Sequence, residues 1–329
     1  MKFDFVTIGG ATEDITLYTD EGVMINNPKD ITRQKLIGFE YGAKLRIEKS
    51  KSTFGGGAAN AAVNFANLGF RTVALVALGD DIRGDSVLKN FKNRKVNTSL
   101  IQRVKKQETG FTFFVVCPDG EHVGFSSRAA NQFLKVGPKE IKVLRDTKWA
   151  YVTSLSGAWK SLLDKVFSAK NLKVAWNPGS RQIEGGFRAM QRYLKKTSIL
   201  QMNKDEAIGL VLTDPEYTRA NSNFLNDTKN LLQIIKQWGP EIVQITEGKF
   251  GSSVYDGQKF YHQNILAEKK RIDTTGVGDC FGSTFVAALE YTGGDIQKAM
   301  YLGAKNTASV IGQPGAQNGL LNKSQLFKK

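Results

Sequence analysis

The sequence predicts an α/β fold: a doubly wound, mostly parallel sheet with helices on both faces, plus a small β-sheet standing apart from it. Three observations lead there. Short apolar runs of strand type alternate with helical stretches through most of the 329 residues, the pattern of a parallel sheet buried on both faces. Glycine-rich and acidic motifs follow these strand candidates, where ligand sites lie in open α/β sheets. Two segments, about 12–54 and 108–130, break the alternation and read as strands of a separate small sheet within a single domain of 1–329.

The chain opens with residues 1–10, a strand entering the turn Gly9-Gly10. Residues 15–53 have mixed polarity. Gly55-Gly56-Gly57 then leads into a small-residue helix whose apolar face is Ala61, Ala62, Phe65, Ala66 and Leu68, with Gly69 suited to its C-terminal end. Val73–Leu78 is a buried-strand candidate and Gly84–Arg94 a helix. Within 109–126, Pro118-Asp119-Gly120 marks a hairpin turn between two strands. Strand candidates recur at Trp149–Ser154, Lys173–Asn177, Ile199–Asn203 and Ile242–Thr246, with a helix at Asn226–Trp238. Cys280–Leu289 reads as an amphipathic helix ending near Gly293-Gly294, and the tail 323–329 as mobile.

Composition narrows the function. The chain is 41% apolar and 23% charged, in the globular range. No apolar run reaches the ~18 residues of a membrane span, and the N-terminus lacks a signal-peptide core, so a cytoplasmic protein without a membrane partner is expected. Cys117 and Cys280 are the two cysteines and His122 and His262 the two histidines, which disfavours a structural zinc site. The net charge of +15 is spread along the chain, with short basic steps such as Lys195-Lys196 lying far apart. It reads as solvated surface that attracts anionic nucleotides, not as a nucleic-acid site. There is no P-loop, no G-x-G-x-x-G and no G-x-S-x-G.

The most informative motif is Asp273-Thr274-Thr275-Gly276-Val277-Gly278-Asp279. A glycine turn opening a helix presents backbone N–H groups that lack internal partners and carry partial positive charge. They can hold an anion, and Asp279 beside them can accept a proton. Phosphoryl transfer to a hydroxyl needs that pair of devices. Asn203-Lys204-Asp205-Glu206 follows a strand candidate and fits hard oxygen ligands for magnesium; the same spacing is that of a helix capping box. Asp14, after the first strand, can accept two hydroxyl hydrogens or form a turn.

Together these motifs resemble the PfkB (ribokinase-like) family of carbohydrate and nucleoside kinases across roughly Phe3 to Gln317. The heptapeptide matches D-T-x-G-A-G-D with Val277 for Ala, residues 55–60 match G-G-x-x-x-N, and 203–206 match N-x-x-E. The resemblance implies a ribokinase-like fold with a β-lid, which in relatives can also be a dimer interface, so a homodimer through the lid is an expectation. It implies ATP and Mg²⁺, with K⁺ as a further candidate. Asp279 would be the general base, and the N–H groups of Gly276, Val277 and Gly278 the anion hole. Asp14, Gly56, Gly57 and Asn60 would bind the acceptor. Asn203, Thr246, Gly248 and Asn306 would bind the nucleotide, with Asn306 on the adenine side. Glu206 would hold magnesium through water, and Asp273 a monovalent cation. Glu13 replaces a common Asn, which leaves the sugar preference open.

The acceptor expected is a free sugar of ribose or fructose type. A nucleoside is the alternative, with Phe39, Tyr41, Phe111, Phe113 and Phe114 as stacking candidates. A sugar phosphate would need lid cations such as Arg46 and Arg128. A binding protein without turnover would have no need of Asp279.

Overall fold

Among the described residues fifteen strands organise the fold: β1 (Phe3–Gly9), β2 (Thr12–Tyr18), β3 (Val23–Asn26), β4 (Lys35–Gly38), β5 (Lys49–Gly55), β6 (Thr72–Gly79), β7 (Gln102–Val104), β8 (Phe111–Val116), β9 (His122–Ser127), β10 (Thr147–Val152), β11 (Lys173–Trp176), β12 (Ile199–Asn203), β13 (Ile242–Thr246), β14 (Ser252–Tyr255) and β15 (Phe260–Gln263). They belong to a computed structural model that describes residues 3–27, 35–116, 122–268 and 270–328. Cys117 and the Pro118-Asp119-Gly120 turn lie outside the described residues.

The main sheet has the order β15-β14-β13-β12-β11-β10-β1-β6-β7. From β7 through β13 every pairing is parallel; β14 and β15 add an antiparallel edge. Strand alternation sends Val6, Ile8, Ala150, Val152, Val174 and Trp176 into one core, under the helices Trp159–Val166, Gly186–Leu194 and Thr228–Gln237. Phe5, Trp149, Tyr151 and Ala175 enter another, against the helices Gly57–Asn67, Val277–Thr292 and Ile296–Ile311. Burial on both faces explains why the strands read as unbroken apolar runs.

The helix Val277–Thr292 corrects the amphipathic reading of Cys280–Leu289. All residues from Cys280 to Leu289 are buried, because the helix lies between the sheet and two other helices. Small residues permit that approach: a Cβ on Gly282 would press on Tyr151 and Gln201. The tail reading is corrected too. Lys323–Phe327 is a helix capped by Asn322, and Leu326 is fully buried.

The second sheet has the order β5-β2-β8-β9, and β3 and β4 form a separate antiparallel pair. Register sorts its side chains. Asp14 pairs with Thr112 and Thr53, and Thr112 with Ser126, so one face is polar around Asp14, with Phe114 and Val116 further along it. Glu13, Ile15 and Leu17 pair with Phe111, Phe113 and Val115 on the opposite face, where Phe113 meets Phe125.

Candidate active site

Sequence and sterics bring the first glycine stretch between two acids. Gly55 ends β5 opposite Thr12, and a Cβ there would fall on the Asp14 carboxylate. Gly56 has φ 90°, a left-handed conformation that favours glycine, and a Cβ on it would overlap the Gly10 backbone. A Cβ on Gly57 would lie 3.1 Å from Asp279 Oδ1. Three side-chain-free residues therefore line the space that joins Asp14 to Asp279.

Asp279 sits in the first turn of the helix Val277–Thr292, whose N-cap Gly276 is left-handed at φ 72°. A side chain on Gly276 would overlap Ala316, whereas one on Gly278 would meet nothing within 4 Å. The free N–H end of the helix thus faces open space. Asn60 Nδ2 donates to Asp279 Oδ2 at 2.8 Å. Burial pushes the Asp279 carboxyl above the usual carboxylate range, opposed by that hydrogen bond. Ser283 Oγ donates to the Asp279 carbonyl at 2.5 Å.

Asp14 is 6% exposed. Burial pushes its carboxyl up to about 6; Thr12 and Thr112 oppose the shift by hydrogen bonding, while the Asp273 and Asp279 charges add to it. Thr12 Oγ1 donates to Asp14 Oδ1 at 2.9 Å.

Two cavities meet at the helix N-terminus. The first, about 240 Å³, is polar and is lined by Asn203, Glu206, Gln244, Gly276, Gly278 and Asp279. Asn203 and Glu206 form the reciprocal capping box: Asn203 Oδ1 accepts from Glu206 N at 2.8 Å, and Glu206 Oε2 from Asn203 N at 2.9 Å. Burial raises the Glu206 carboxyl, and the Asp279 charge adds to the shift. Gln244 Nε2 is buried there without a hydrogen-bond partner among the described residues. Such a donor suits an anionic oxygen.

The second cavity, about 260 Å³, carries Thr246, Gly248, Lys249 and Arg271 at its polar side and Ile265, Leu266, Phe281, Ala304, Ala308 and Ile311 at its apolar side. Thr246 and Gly278 line both cavities.

Not every expected residue reaches this space. Asn306 is fully buried and is absent from both cavity walls. Its Nδ2 donates to Asn64 Oδ1 at 3.1 Å and Thr284 Oγ1 at 2.9 Å, and its Oδ1 accepts from Leu321 N at 2.8 Å. It belongs to a polar seam between three helices; its neighbours Ala304, Thr307 and Ala308 reach the cavity instead. Asp273 accepts from Thr275 N at 2.8 Å and from Gly315 N at 2.7 Å, tying two loops together. Phe111 and Phe113 lie on the face away from Asp14, whereas Phe114 shares the Asp14 face; Tyr41 is fully exposed, and exposed Arg46 pairs with Glu48. Sequence reasoning missed Thr12, Thr112, Gln244 and Gln317. Alternation along β2 and β8 could have found Thr12 and Thr112; nothing local marks the two glutamines.

Among the described residues no helix is long and apolar enough to cross a membrane, and no three acids, cysteines or histidines form a ready metal cluster. A family model described as pfkB family carbohydrate kinase matches residues 29–323. Ribokinase from Staphylococcus aureus is 27% identical over 84% of this chain and 88% of its own length. A nucleoside kinase from Methanocaldococcus jannaschii is 24% identical over 85% and 86%. The structure of Arabidopsis thaliana ribokinase complexed with ribose and ATP superposes with a TM-score of 0.81 at 18% identity, covering 99% of this chain and 98% of that one.

Proposed function

This chain belongs to the PfkB family of carbohydrate kinases, a phosphotransferase of the sugar and nucleoside kinase type that uses ATP, and on that premise we propose that it phosphorylates a hydroxyl of a free sugar with Asp279 as general base. One observation carries the reading: Asp279 stands at a glycine-bounded helix N-terminus, across a glycine-lined gap from the buried acid Asp14. Asp14 accepts acceptor hydroxyls while Thr12 and Thr112 hold its side chain. Asp279 Oδ1, the oxygen that Asn60 leaves free, takes the proton as the hydroxyl oxygen bonds to the γ-phosphorus and the bond from that phosphorus to the β,γ-bridging oxygen breaks, releasing ADP. The N–H groups of Gly276, Val277 and Gly278 hold the charge on the phosphate.

The apolar cavity fits a purine, with Thr246 and Gly248 on the phosphate side. The polar cavity fits magnesium, which prefers carboxylate, phosphate and water oxygens over a full protein cage. Glu206 and Asn203 would hold it through water. The metal supplies charge neutralisation on the phosphates. We assign Asp273 to joining its loop to Gly315, a frame whose backbone carbonyls could serve K⁺. The second sheet acts as the lid that excludes water, and its apolar outer face, where Phe125 is 57% exposed, pairs with a second copy.

The hydroxyl side chains beside Asp14 favour a free sugar, and Phe111 and Phe113 point away; Phe114, on the Asp14 face beyond Thr112, is the candidate that keeps a nucleoside as the alternative. A free sugar is favoured over a sugar phosphate because Arg46 is exposed and ion-paired. The test is ATP consumption with Mg²⁺ across free sugars, nucleosides and sugar phosphates, with Asp279→Asn alongside. Turnover on sugars, lost in the variant while ATP still binds, is expected. Faster turnover on a nucleoside would reverse the substrate choice, and full activity in Asp279→Asn would remove the base.

A further inference from the structure

Asn60 meets Asp279 through its amide, and an amide has two unlike ends. A carboxylate only accepts, so the end facing Asp279 must be the NH₂ group. Nothing in Asn60 itself enforces that choice; its oxygen would fit the same space.

The partner on the other end decides it. Asn60 Oδ1 accepts from Gln317 Nε2 at 3.1 Å. Gln317 is an amide with the same ambiguity, and its Oε1 accepts from Asn90 Nδ2 at 2.8 Å. All donors in the series Asn90, Gln317, Asn60 therefore point toward Asp279. Gln317 is 4% exposed and Asn60 5% exposed, so water does not substitute freely for either partner. The loop that carries Gln317 is held in place: Gly315 N donates to Asp273 Oδ2 at 2.7 Å, Asn318 Nδ2 to the Pro314 carbonyl at 2.6 Å, and Ala316 packs against Gly276.

We propose that Gln317, oriented by Asn90, is a positioning residue that locks the Asn60 amide with its N–H on Asp279 Oδ2, leaving Oδ1 as the oxygen that takes the acceptor proton. The proposal rests on the reading of Asp279 as base. The amides donate and accept in one fixed direction, and no proton passes along them. The helix Ile82–Asn93, which carries Asn90, thereby takes part in the site without touching substrate. It also carries Arg83, whose guanidinium pairs with Glu13 of β2 at 3.2 Å, so one helix is tied both to the second sheet and to the relay.

Loss of the donated N–H favours the protonated carboxyl, so the base should titrate at higher pH. Gln317→Leu removes the lock without adding charge. Asn90→Asp keeps the side-chain size but cannot donate, so Gln317 turns to donate to it and the two amides downstream reverse. A carboxyl ¹³C titration of Asp279, assigned with Asp279→Asn, reads the effect with no acceptor present. Turnover is followed with ATP, Mg²⁺ and either ribose or inosine. Both variants should move the Asp279 titration and the acid limb of kcat/KM to higher pH. Gln317→Leu should lower kcat roughly tenfold, the size of a lost orienting contact, with the ATP KM changed less than about twofold. In an Asn60→Leu background Gln317→Leu should add nothing, since it acts through Asn60. An unmoved titration in both variants, or a full Gln317→Leu effect without Asn60, overturns the proposal. Asp279→Asn separates the two levels. If it retains turnover, the base assignment itself fails. If it is inactive while Gln317→Leu behaves as wild type, only the relay fails.

Discussion

Replacing Asp14 by asparagine should stabilise the protein and weaken its hold on the acceptor. The carboxyl is 6% exposed, and burial pushes it from 3.8 up to about 6. The native state therefore binds this proton more tightly than the unfolded chain does. Stability falls as pH climbs from about 4 to about 6, and the loss is complete above that. A gap of roughly two units corresponds to about 3 kcal/mol at neutral pH. Asparagine keeps the acceptor oxygen that Thr12 uses and carries no charge to desolvate. Urea unfolding of wild type and Asp14→Asn at pH 4 and pH 7.5 isolates the effect from other carboxylates. The variant should gain up to about 3 kcal/mol at the higher pH and almost nothing at the lower. Acceptor hydroxyls donate to the ionised form, so the wild-type acceptor KM should fall as pH rises through about 6 and then level off. A stability difference that is independent of pH would refute the buried-acid argument.

Gly276 and Gly278 should respond in opposite ways to alanine. At Gly276 a left-handed backbone and overlap with Ala316 predict a loss of about 2–4 kcal/mol in thermal or urea unfolding; wild-type stability there would remove the steric argument. At Gly278 the space is open, so the fold should hold within about 1 kcal/mol while the added methyl in the phosphate space lowers turnover. Asn306→Leu should cost about 2–3 kcal/mol by stranding Leu321 N and the Asn64 amide, with the ATP KM unchanged; a stable variant that binds ATP poorly would return Asn306 to the adenine side. Glu206→Gln keeps the capping-box acceptor but removes the charge, so unfolding should barely change while the Mg²⁺ concentration for half-maximal turnover rises. Phe125→Glu should turn a dimer into a monomer in light scattering, and a wild-type protein that is already monomeric would withdraw the second copy.

The central strands β1, β6 and β10 to β13 were legible because they are buried on both faces, which leaves a continuous apolar signal, as in Thr72–Gly79; the short, part-buried edge strands β7, β14 and β15 gave no such signal. The signature turns were legible because close backbone approach and positive φ at Gly56 and Gly276 narrow the choice of residue. What stayed hidden depends on facing and on distant pairing. Alternation announces that β8 has two faces, but only its register with β2 shows that Phe111 shares Glu13's side and Thr112 shares Asp14's. Asn306 comes to the adenine side through the family resemblance alone; in a helix packed on its neighbours, a polar residue can equally serve a neighbouring helix. Gln317 lies 257 residues from Asn60, and no local pattern reports such a pair.

Several acids crowd this site, and burial raises Asp14, Glu206 and Asp279 alike. Their partners separate their roles. Glu206 gives one oxygen to its own helix cap and lines the polar cavity, which suits a cation held through water. Asp14 is held by the hydroxyls of Thr12 and Thr112 among other hydroxyl side chains, which suits an acceptor rich in hydroxyls. Asp279 alone has one oxygen occupied by a fixed N–H while the other borders the Cβ-free Gly57. A base works best when its affinity for the proton approaches the operating pH. Burial drives Asp279 that way, and the Asn60 hydrogen bond keeps it ionised enough to accept. Loss of the Asn60 contact should therefore slow the reaction at acidic pH more than at alkaline pH, whereas a contact that only anchored the acceptor would slow it equally at both.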